Sequence, residues 1–584
     1  MKNVKNLELM ANKLRIHSLK STTTAGSGHP TSCMSCAEIM STLFFSEMNS
    51  NDEFILSKGH AAPILWACYA EAGLIPIKEL KNLRKINSTL EGHPTARNKL
   101  IKIATGSLGQ GLSAGIGMAL CKKSMIYVLL GDGETAEGSI WEAANTASYY
   151  KLKNLCAIID LNRLGQSGET MHGHDAKKYS EKFKAFGWNA IIIDGHKIKS
   201  ILNAIKKAKK SKKPTVIIAK TFKGKGVNFL ENKQGKHGKA LNNNQLKLAI
   251  KEIGETKVKL KSKIKPKQYY SKSIKSFNFT NYKKQDIIAT RDAFGKALVK
   301  LGEKNNQVYC IDGDVKNSTR TQEFFNKFPK RSFESFIAEQ NMTGIAMGIS
   351  SQGFVPFLAT FAAFLTRAHD FIRMAQYSKS NIKFVGSHCG ISIGKDGPSQ
   401  MGLEDISMFS SMPDSVILYP CDAFSCEKLT YLQAKHNGIS YLRTTRAKTP
   451  IIYSKKEKFN IGGLKVLKKS KKDNALVICA GITVHESLKA YEILKKKGKN
   501  IRIIDLYSVK PIDSKSLLKN AKQCKNNVIV VEDHYTGGIG SIVSSVLGKI
   551  RQLSVNHMPC SGSKENLMKK FGIDYNNIVK EAMK

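Results

Sequence analysis

Apolar and polar positions along the chain form blocks that predict short buried strands separated by helices. The clearest block spans residues 127–167. Tyr127–Leu130 is an apolar run that is too short for a helix and ends at glycine, which predicts a buried strand. Residues 134–151 then show helical periodicity. Cys156–Ile159 predicts a second strand, so the block predicts a βαβ unit with two parallel, adjacent strands.

The two predicted strands are followed by side chains that suit a metal-bound diphosphate. Asp132 follows the first strand and Asn162 the second, which places both at the edge where open α/β sheets bind ligands. One carboxylate and one amide oxygen leave Mg2+ free positions for water and phosphate oxygens. Glycines on both sides of Asp132 allow close approach of the backbone. The alternative is an ordinary turn with a turn asparagine, but the spacing and the βαβ unit together favour the ligand site.

The remaining pattern predicts three consecutive α/β domains, each with a mainly parallel sheet flanked by helices. Residues 3–48 predict a helix, a loop and a second helix. Strand candidates return after residue 288 and again after residue 475, alternating with helical stretches. Between these blocks the pattern weakens into polar residues, which is typical of surface helices and linkers. The predicted division is a first domain at 1–260, a linker at 261–285, a second domain at 286–450, a linker at 451–465 and a third domain at 466–584.

Three Gly-His pairs stand in predicted loops of the first hundred residues, at His29, His60 and His93. A lone histidine is usually structural, but three in such loops are hard to explain as core filling. Histidine titrates near neutral pH, which suits proton transfer. A glycine-rich turn at residues 106–112 leads into a helix of small residues. That segment predicts either close helix packing or a backbone that lies against a cofactor.

Composition narrows the class of protein. A chain of 584 residues exceeds a single core, and 41% hydrophobic with 24% charged residues is typical of a soluble globular protein. The N-terminus shows no apolar signal segment and the chain has no run of eighteen apolar residues, so we expect a cytoplasmic protein without a membrane partner. Twelve scattered cysteines, of which Cys33 and Cys36 have C-x-x-C spacing, predict core thiols rather than a zinc site.

The net charge of +47 raises the question of a nucleic-acid partner. The lysines, however, are spread along every part of the chain, as at residues 206–210. No arginine-rich arm, zinc finger or basic-aromatic strand pattern accompanies them. We therefore interpret the excess as a solvated positive surface that steers anionic substrates, and nucleic acid is disfavoured as a partner.

The order of motifs along nearly the whole chain resembles the transketolase family. The matching segments are AGSGHPTSC, SKGHAAPILW, EGHP, ATGSLGQGL, GDGE, LNRLGQS, AFGW, IDGH, AKTFKGKG and HGK. Gln400 matches the shorter, animal-like type of the family. Leu161 replaces the first residue of the usual Asn-Asn pair, and Lys395 stands where the family generally has an acid. The three predicted domains accordingly resemble the diphosphate-binding (PP), pyrimidine-binding (Pyr) and C-terminal domains of transketolases.

This resemblance implies thiamine diphosphate and Mg2+ as cofactors, with Ca2+ or Mn2+ as substitutes for the metal. The implied metal ligands are Asp132, Asn162 and the backbone carbonyl of Leu164. The implied cofactor-binding residues are Ser32, His60, Gly106, Ser107, Leu108, Gly133, Asn162, Lys223, His237, Phe364 and Gln400. The implied substrate-binding residues are His29, His93, His237, Arg291, Ser318, His388, Asp396 and Arg446. The implied catalytic residues are Glu339, His29 and His237.

Glu339 has a local pattern of its own. It follows the apolar residues 336–338, which predict a strand end, and it precedes a Gly- and Ala-rich helix. The resemblance implies that this carboxyl group shares a proton with the ring nitrogen of the cofactor's aminopyrimidine, and that Phe364 packs on that ring. The alternatives are a glutamate favoured at a helix N-terminus and an ordinary core phenylalanine.

The implied activity is the reversible transfer of a two-carbon ketol group from a ketose phosphate such as xylulose 5-phosphate. The acceptor is an aldose phosphate such as ribose 5-phosphate or erythrose 4-phosphate, in the pentose phosphate pathway. The resemblance further implies a homodimer with its active sites at the subunit interface. Two alternatives stay open: another thiamine diphosphate enzyme, such as 1-deoxyxylulose-5-phosphate synthase or dihydroxyacetone synthase, and an inactive basic scaffold.

Overall fold

The computed structural model describes residues 4–584, so the first three residues of the predicted first domain lie outside the described chain. The chain forms two compact units. Residues up to Tyr270, together with Thr343–Gln352, form the first unit, and Ser271–Met342 with Gly353–Lys584 form the second. The predicted domain and linker boundaries, which divide the chain into three, stay a prediction.

A five-stranded parallel sheet lies at the core of the first unit, with strand order β1-β2-β3-β5-β4. β2 and β3 are buried throughout, which explains why the sequence shows continuous apolar runs there instead of alternation. The strands are β1 (Glu53–Leu56), β2 (Ile126–Gly131), β3 (Leu155–Leu161), β4 (Asn189–Asp194) and β5 (Thr215–Lys220).

Helices flank this sheet: α1 (Val4–Ala25), α2 (Pro30–Ser35), α3 (Ala37–Thr42), α4 (Ala62–Glu71), α5 (Gly111–Cys121), α6 (Gly138–Tyr149), α7 (Ala176–Ala185), α8 (Ile198–Lys210) and α9 (Asn243–Ile253). The predicted βαβ unit is present as β2, α6 and β3. The helix predicted over 134–151 is divided into a 3-10 turn at Gly133–Ala136 and α6, because Glu137 between them is extended. The second helix predicted within 3–48 is likewise divided into α2, α3 and a π-helical turn.

The second unit contains two larger sheets and a two-stranded ribbon. The seven-stranded sheet has the order β17-β11-β12-β10-β9-β7-β8 and is parallel except at β17; the five-stranded sheet has the order β14-β16-β15-β18-β19 and is parallel except at β14. The strands are β6 (Ile287–Ala289), β7 (Val308–Asp312), β8 (Ser332–Glu334), β9 (Val355–Phe361), β10 (Lys383–Ser387), β11 (Val416–Leu418), β12 (Ser440–Arg443), β13 (Lys448–Pro450), β14 (Lys465–Lys468), β15 (Ala475–Cys479), β16 (Ile501–Asp505), β17 (Ser508–Lys510), β18 (Val528–Tyr535) and β19 (Arg551–Val555).

The helices that flank these sheets are α10 (Thr290–Lys304), α11 (Lys316–Thr319), α12 (Gln322–Lys327), α13 (Glu339–Ser350), α14 (His369–Tyr377), α15 (Asp405–Ser410), α16 (Ala423–Lys435), α17 (Ile482–Lys496), α18 (Ser514–Gln523), α19 (Ile539–Leu547), α20 (Lys564–Lys570) and α21 (Tyr575–Met583). The predicted fold class, α/β with mainly parallel sheets flanked by helices, is therefore confirmed. In the larger sheets the edge strands β14 and β17 run antiparallel to their neighbours, and the ribbon of β6 and β13 is antiparallel as well.

One predicted strand is wrong. The apolar residues before Glu339 do not form a strand, because β8 ends at Glu334 and Phe336 adopts a positive φ of 56°. Phe336 and Ile337 are exposed, Ile337 to 74%, whereas Ala338 is buried. Glu339 is instead the first residue of α13.

The cysteines and the helices agree with two features of the composition. All twelve cysteines are free thiols and ten are buried, as predicted for core residues. None of the helices within residues 4–584 combines the length and the apolar composition that crossing a lipid bilayer requires.

Candidate active site

Asp132 and Asn162 lie directly after β2 and β3, as predicted. Because these strands are parallel neighbours, their carboxyl ends bring the two side chains to one edge of the sheet. Both side chains are buried. The Asp132 carboxylate accepts hydrogen bonds from the backbone N–H of Gly133 at 2.9 Å and of Arg163 at 2.6 Å. Burial, followed by the charge of nearby Asp160, raises the pKa of Asp132 to about 6.

The buried carboxylate of Asp160 orients Asn162. It pairs with the ammonium of Lys58, which is fully buried, and it accepts a hydrogen bond from Nδ2 of Asn162 at 3.0 Å. Two hydroxyls complete its partners, those of Ser35 and Thr221, each at 2.6 Å. Burial raises the pKa of Asp160, but the charge of Lys58 and these hydrogen bonds hold it below its usual value. Oδ1 of Asn162 accepts from the backbone N–H of Leu164 at 3.2 Å, and its second lone pair remains for a cation.

The residues at this edge fit a hard divalent cation. A buried carboxylate, an amide oxygen and the carbonyl of Leu164 form a donor set made only of oxygen, which Mg2+ prefers. Within residues 4–584 there is no cluster of three or more His, Cys, Asp or Glu that could hold a metal. A cation held by Asp132, Asn162 and Leu164 would therefore complete its coordination with water and phosphate oxygens.

Two further groups favour an anionic ligand beside this set. Lys223 donates from Nζ to the carbonyl of Leu164 at 2.5 Å and to Nδ1 of His237 at 2.8 Å. Burial, followed by the charge of Lys58, lowers the pKa of Lys223 to about 8. The hydroxyl oxygen of Ser32 is buried and has no hydrogen-bond partner in the described chain. A buried ammonium and an unpartnered buried hydroxyl are groups that a diphosphate satisfies.

Four predicted histidines come together, and we call His29, His60, His93 and His237 the histidine cluster. The ring centroid of His29 lies 5.3 Å from that of His60, 6.0 Å from that of His93 and 4.8 Å from that of His237. Burial, followed by neighbouring cationic groups, lowers the pKa of His29 to about 4 and of His237 to about 3. The pKa values of His60 and His93 are also lowered, first by burial. The cluster is therefore neutral near pH 7.

The glycine-rich turn lies against the histidine cluster. Gly106 has φ +132°, and a Cβ there would stand 2.9 Å from the ring of His93. The predicted cofactor residues Ser107 and Leu108 follow it in the same turn. In the helix that comes next, α5, close packing explains the small residues, because a Cβ at Gly117 would lie 2.1 Å from the carbonyl of Ile345.

The buried carboxylate of Glu134 connects three loops of this region by hydrogen bonds. It accepts hydrogen bonds from Ser57 Oγ, from the backbone N–H of Gly109 at 2.9 Å and from that of Gly131 at 3.0 Å. Ser57 in turn accepts from the N–H of Gly111 at 3.2 Å. These donors belong to the loops that carry His60, the glycine-rich turn and Asp132.

In the second unit the structure assembles a separate group, the arginine–histidine cluster, made of Arg291, Ser318, Phe361, Phe364 and His388. Arg291 donates from Nη1 to the carbonyl of Ser318 at 3.1 Å and to Nε2 of His388 at 3.3 Å, while its buried Nε has no partner among the described residues. His388 stacks on Phe361 at 3.8 Å and Phe361 on Phe364 at 5.0 Å. Burial, followed by the charges of Arg291 and Arg446, lowers the pKa of His388 to about 3.

The other predicted residues of the second unit lie on neighbouring loops. Arg446 forms an ion pair with Asp396. Gln400 ends a 3-10 turn that begins at Pro398, and its amide contacts Ser399 at 3.4 Å. Glu339 is buried at the start of α13. Their functional roles stay predictions.

Sequence reasoning missed Lys58, Glu134, Asp160 and Phe361. The signal for Asp160 was present, since a carboxylate inside the apolar strand segment CAIIDL needs a buried partner. That the partner is Lys58, from the loop after β1, depends on tertiary structure. Glu134 belongs to the GDGE segment, but its three donors come from distant parts of the chain.

Family models match three successive parts of the chain: "Transketolase, thiamine diphosphate binding domain" at residues 7–287, "Transketolase, pyrimidine binding domain" at 286–451 and "Transketolase, C-terminal domain" at 464–578. Among curated relatives, the transketolases of Homo sapiens and Rattus norvegicus are each 49% identical, covering 97% of this chain and 96% of the relative.

Solved structures agree in fold. A crystal structure of transketolase from Campylobacter jejuni has a TM-score of 0.89 at 25% identity, with complete coverage of both chains. Transketolase from Leishmania mexicana has a TM-score of 0.87 at 20% identity, covering 99% of this chain and 97% of that one. Since the three family models together span most of the chain and relatives match at 49% identity over its length, the chain belongs to the transketolase family.

Proposed function

We propose that the chain catalyses the transketolase reaction, the reversible transfer of a two-carbon ketol group between sugar phosphates. Xylulose 5-phosphate is the proposed donor, and ribose 5-phosphate or erythrose 4-phosphate the proposed acceptor. The observation that carries the proposal is the histidine cluster, in which His29 lies within 6.0 Å of three other rings, all neutral. Similarity to curated transketolases over the whole chain supports it.

Thiamine diphosphate and Mg2+ are the proposed cofactors, and the family's thiamine diphosphate binding domain supports the first of them. Asp132, Asn162 and Leu164 would hold the metal, while Ser32 and Lys223 would bind diphosphate oxygens. The remaining proposed cofactor contacts are His60, Gly106, Ser107, Leu108, Gly133, His237, Phe364 and Gln400. When bound, thiamine diphosphate supplies the nucleophilic carbon and the electron sink for carbon–carbon bond cleavage.

The histidine cluster would move protons on the sugar hydroxyls. Because burial and nearby cations keep these imidazoles neutral, a ring nitrogen that bears no hydrogen can accept a proton from a hydroxyl group and return it. Nδ1 of His237 accepts from Lys223, so Nε2 of this neutral ring carries the hydrogen and would donate a hydrogen bond to a substrate oxygen. We assign proton acceptance to His29 and hydrogen-bond donation to the reacting oxygen to His237, with His93 as a further substrate contact.

The arginine–histidine cluster would bind the substrate phosphate. The guanidinium of Arg291 has an unpartnered buried Nε, and its fork suits two phosphate oxygens at once. Ser318 and Arg446 would contribute to the same phosphate. His388 would bind beside it, with Asp396 as a further substrate-recognition residue.

Glu339 would hold a proton at the ring nitrogen of the cofactor's aminopyrimidine, which is the role that the family resemblance implies. The same resemblance supports a homodimer in which the first domain of one subunit and the second domain of the other complete each active site. We further propose that the enzyme acts in the cytoplasm, in the pentose phosphate pathway.

A coupled assay tests the proposal. Purified protein is incubated with xylulose 5-phosphate and ribose 5-phosphate, with and without thiamine diphosphate and Mg2+, and sedoheptulose 7-phosphate is measured. We expect product only when both cofactors are present. The H29A variant is the matched control, since it should bind the cofactors but turn over slowly.

Two outcomes would refute the proposal. Consumption of pyruvate with release of carbon dioxide would instead indicate an enzyme of the 1-deoxyxylulose-5-phosphate synthase type. Absence of any cofactor-dependent product, together with DNA binding that weakens steeply with salt, would indicate an inactive basic scaffold.

A further inference from the structure

The loop that carries His388 has an unusual backbone. It follows β10, and both His388 and Gly390 adopt positive φ values, of 58° and 75°. A non-glycine residue in this region is uncommon and persists only where the surrounding structure holds it. The position of the His388 ring, stacked on Phe361 and accepting from Arg291, therefore depends on what fastens the loop.

A carboxylate from β18 holds the loop in this conformation. Asp533 is fully buried, and its Oδ1 accepts from the backbone N–H of Ile391 at 2.7 Å. Its Oδ2 accepts from the N–H of Ser392 at 3.3 Å. A Cβ at Gly390 would lie 2.1 Å from the same carboxylate, so only glycine allows this approach. Hydrogen bonds to an ionised acceptor are stronger than those between neutral groups.

The other side of the loop is connected to the same strand. The backbone of Gly402 donates to the carbonyl of His388 at 3.2 Å and accepts from Gly390 at 2.8 Å. Arg443, which is fully buried, donates to the carbonyl of Gly402 at 2.8 Å and to the carbonyl of Asp533 at 3.0 Å. The side chain and the backbone of Asp533 thus hold both sides of the loop.

We propose that Asp533, in the predicted C-terminal domain, is a positioning residue that sets the His388 ring for recognition of phosphorylated substrates. This inference rests on the proposed function, because it takes His388 and Arg291 as phosphate-end contacts. It gives the C-terminal domain an indirect part in substrate binding. Asp533 itself touches neither substrate nor cofactor in this proposal and acts through the loop of residues 388–392.

The test compares D533N with D505N. Asn keeps the shape of Asp533 but turns one of its two acceptors into a donor that faces a backbone N–H. Asp505 is an equally buried carboxylate in the same five-stranded sheet, and it accepts from Tyr453 at 2.7 Å and from Cys421 at 3.3 Å instead of from the loop. D505N therefore controls for general disturbance of the C-terminal domain.

For D533N we expect the KM for xylulose 5-phosphate to rise about tenfold or more, with kcat and thiamine diphosphate affinity within about twofold of wild type. The KM for xylulose, which lacks the phosphate, should change little, and D505N should show neither effect. Amide hydrogen exchange of residues 388–394 should be faster in D533N alone. An unchanged KM for the phosphorylated donor, equal changes for both donors, or equal changes in D505N would overturn the proposal.

A second variant covers the case in which D533N does not fold. G390A leaves the C-terminal domain unaltered and displaces the loop from Asp533, so it should produce the same selective rise in KM. An unchanged KM in G390A would overturn the proposal. If the wild type shows no ketol transfer, the proposed function fails, and the exchange rates in D533N then decide separately whether Asp533 holds the loop.

Discussion

Replacing Glu134 with glutamine should weaken cofactor binding without unfolding the protein. In the wild type, one carboxylate oxygen accepts from Ser57 and Gly109 and the other from Gly131. The glutamine carbonyl oxygen can keep the first two bonds, but its NH2 group then meets the N–H of Gly131. Because that N–H is the last before Asp132, the change disturbs the loop that carries the proposed metal ligand.

The expected loss of cofactor affinity can be estimated from the hydrogen bond that the N–H of Gly131 loses. Leaving one buried N–H without a partner costs about 1–3 kcal/mol. We take about 2 kcal/mol of this cost to fall on the cofactor-bound conformation, in which the loops are held closely. The dissociation constant of thiamine diphosphate then rises roughly 30-fold, because about 1.4 kcal/mol corresponds to a factor of ten.

The assay is a titration of thiamine diphosphate at saturating Mg2+, followed by protein fluorescence, with the melting temperature measured in parallel. E53Q is the matched control. Glu53 is also buried, but it lies at the amino end of β1, away from the site, and pairs with Lys102 and Lys122. E53Q should lower the melting temperature and leave the dissociation constant unchanged. A folded E134Q protein that binds the cofactor as tightly as wild type would refute the reasoning.

Four further outcomes are expected. E339Q should keep cofactor affinity while its turnover falls by orders of magnitude in the coupled assay; wild-type turnover would show the carboxyl group to be misassigned. D132A should lose metal and cofactor affinity together, measured by titration of each. K58M leaves the buried charge of Asp160 without its partner and should cost about 3–5 kcal/mol of stability in urea unfolding; an unchanged midpoint would contradict the pairing. Burial raises the pKa of Asp505 to about 7, so its contribution to stability is full below about pH 4 and is lost as pH rises to about 7. The melting temperature of wild type relative to D505N should therefore rise as pH falls from about 7 to about 4 and stay level above pH 7, and a pH-independent difference would contradict this.

The parts of the site that sequence could predict are local ones. The apolar run, the glycine break and the helical period around Asp132 lie within one βαβ unit, so periodicity and chain direction suffice to place Asp132 and Asn162 at the same edge. The Gly-His pairs were detectable because histidine in a glycine loop has little structural purpose. Proximity of His29 to His237 could not be derived in this way, because more than two hundred residues separate them.

The wrongly predicted strand before Glu339 has a physical explanation. Residues 336–338 are apolar, and a short apolar run does not distinguish a strand from an exposed turn. In the structure Phe336 has a positive φ and Ile337 is exposed, while Glu339 begins α13. An exposed apolar pair beside a proposed catalytic residue is consistent with a surface that a second subunit would cover, which is the arrangement proposed above.

The buried lysines of the first unit affect both ligand binding and the protonation of the histidine cluster. Lys58 and Lys223 are buried near the histidine cluster, so they attract the diphosphate of the cofactor and the phosphates of substrates. After burial, the same cations contribute to lowering the pKa values of His29 and His237, which keeps both imidazoles neutral. Binding an anionic diphosphate would offset part of that positive field and raise these pKa values toward the ordinary range. His29 should therefore become a better proton acceptor once the cofactor is in place, so binding of the cofactor would prepare this base for a substrate hydroxyl.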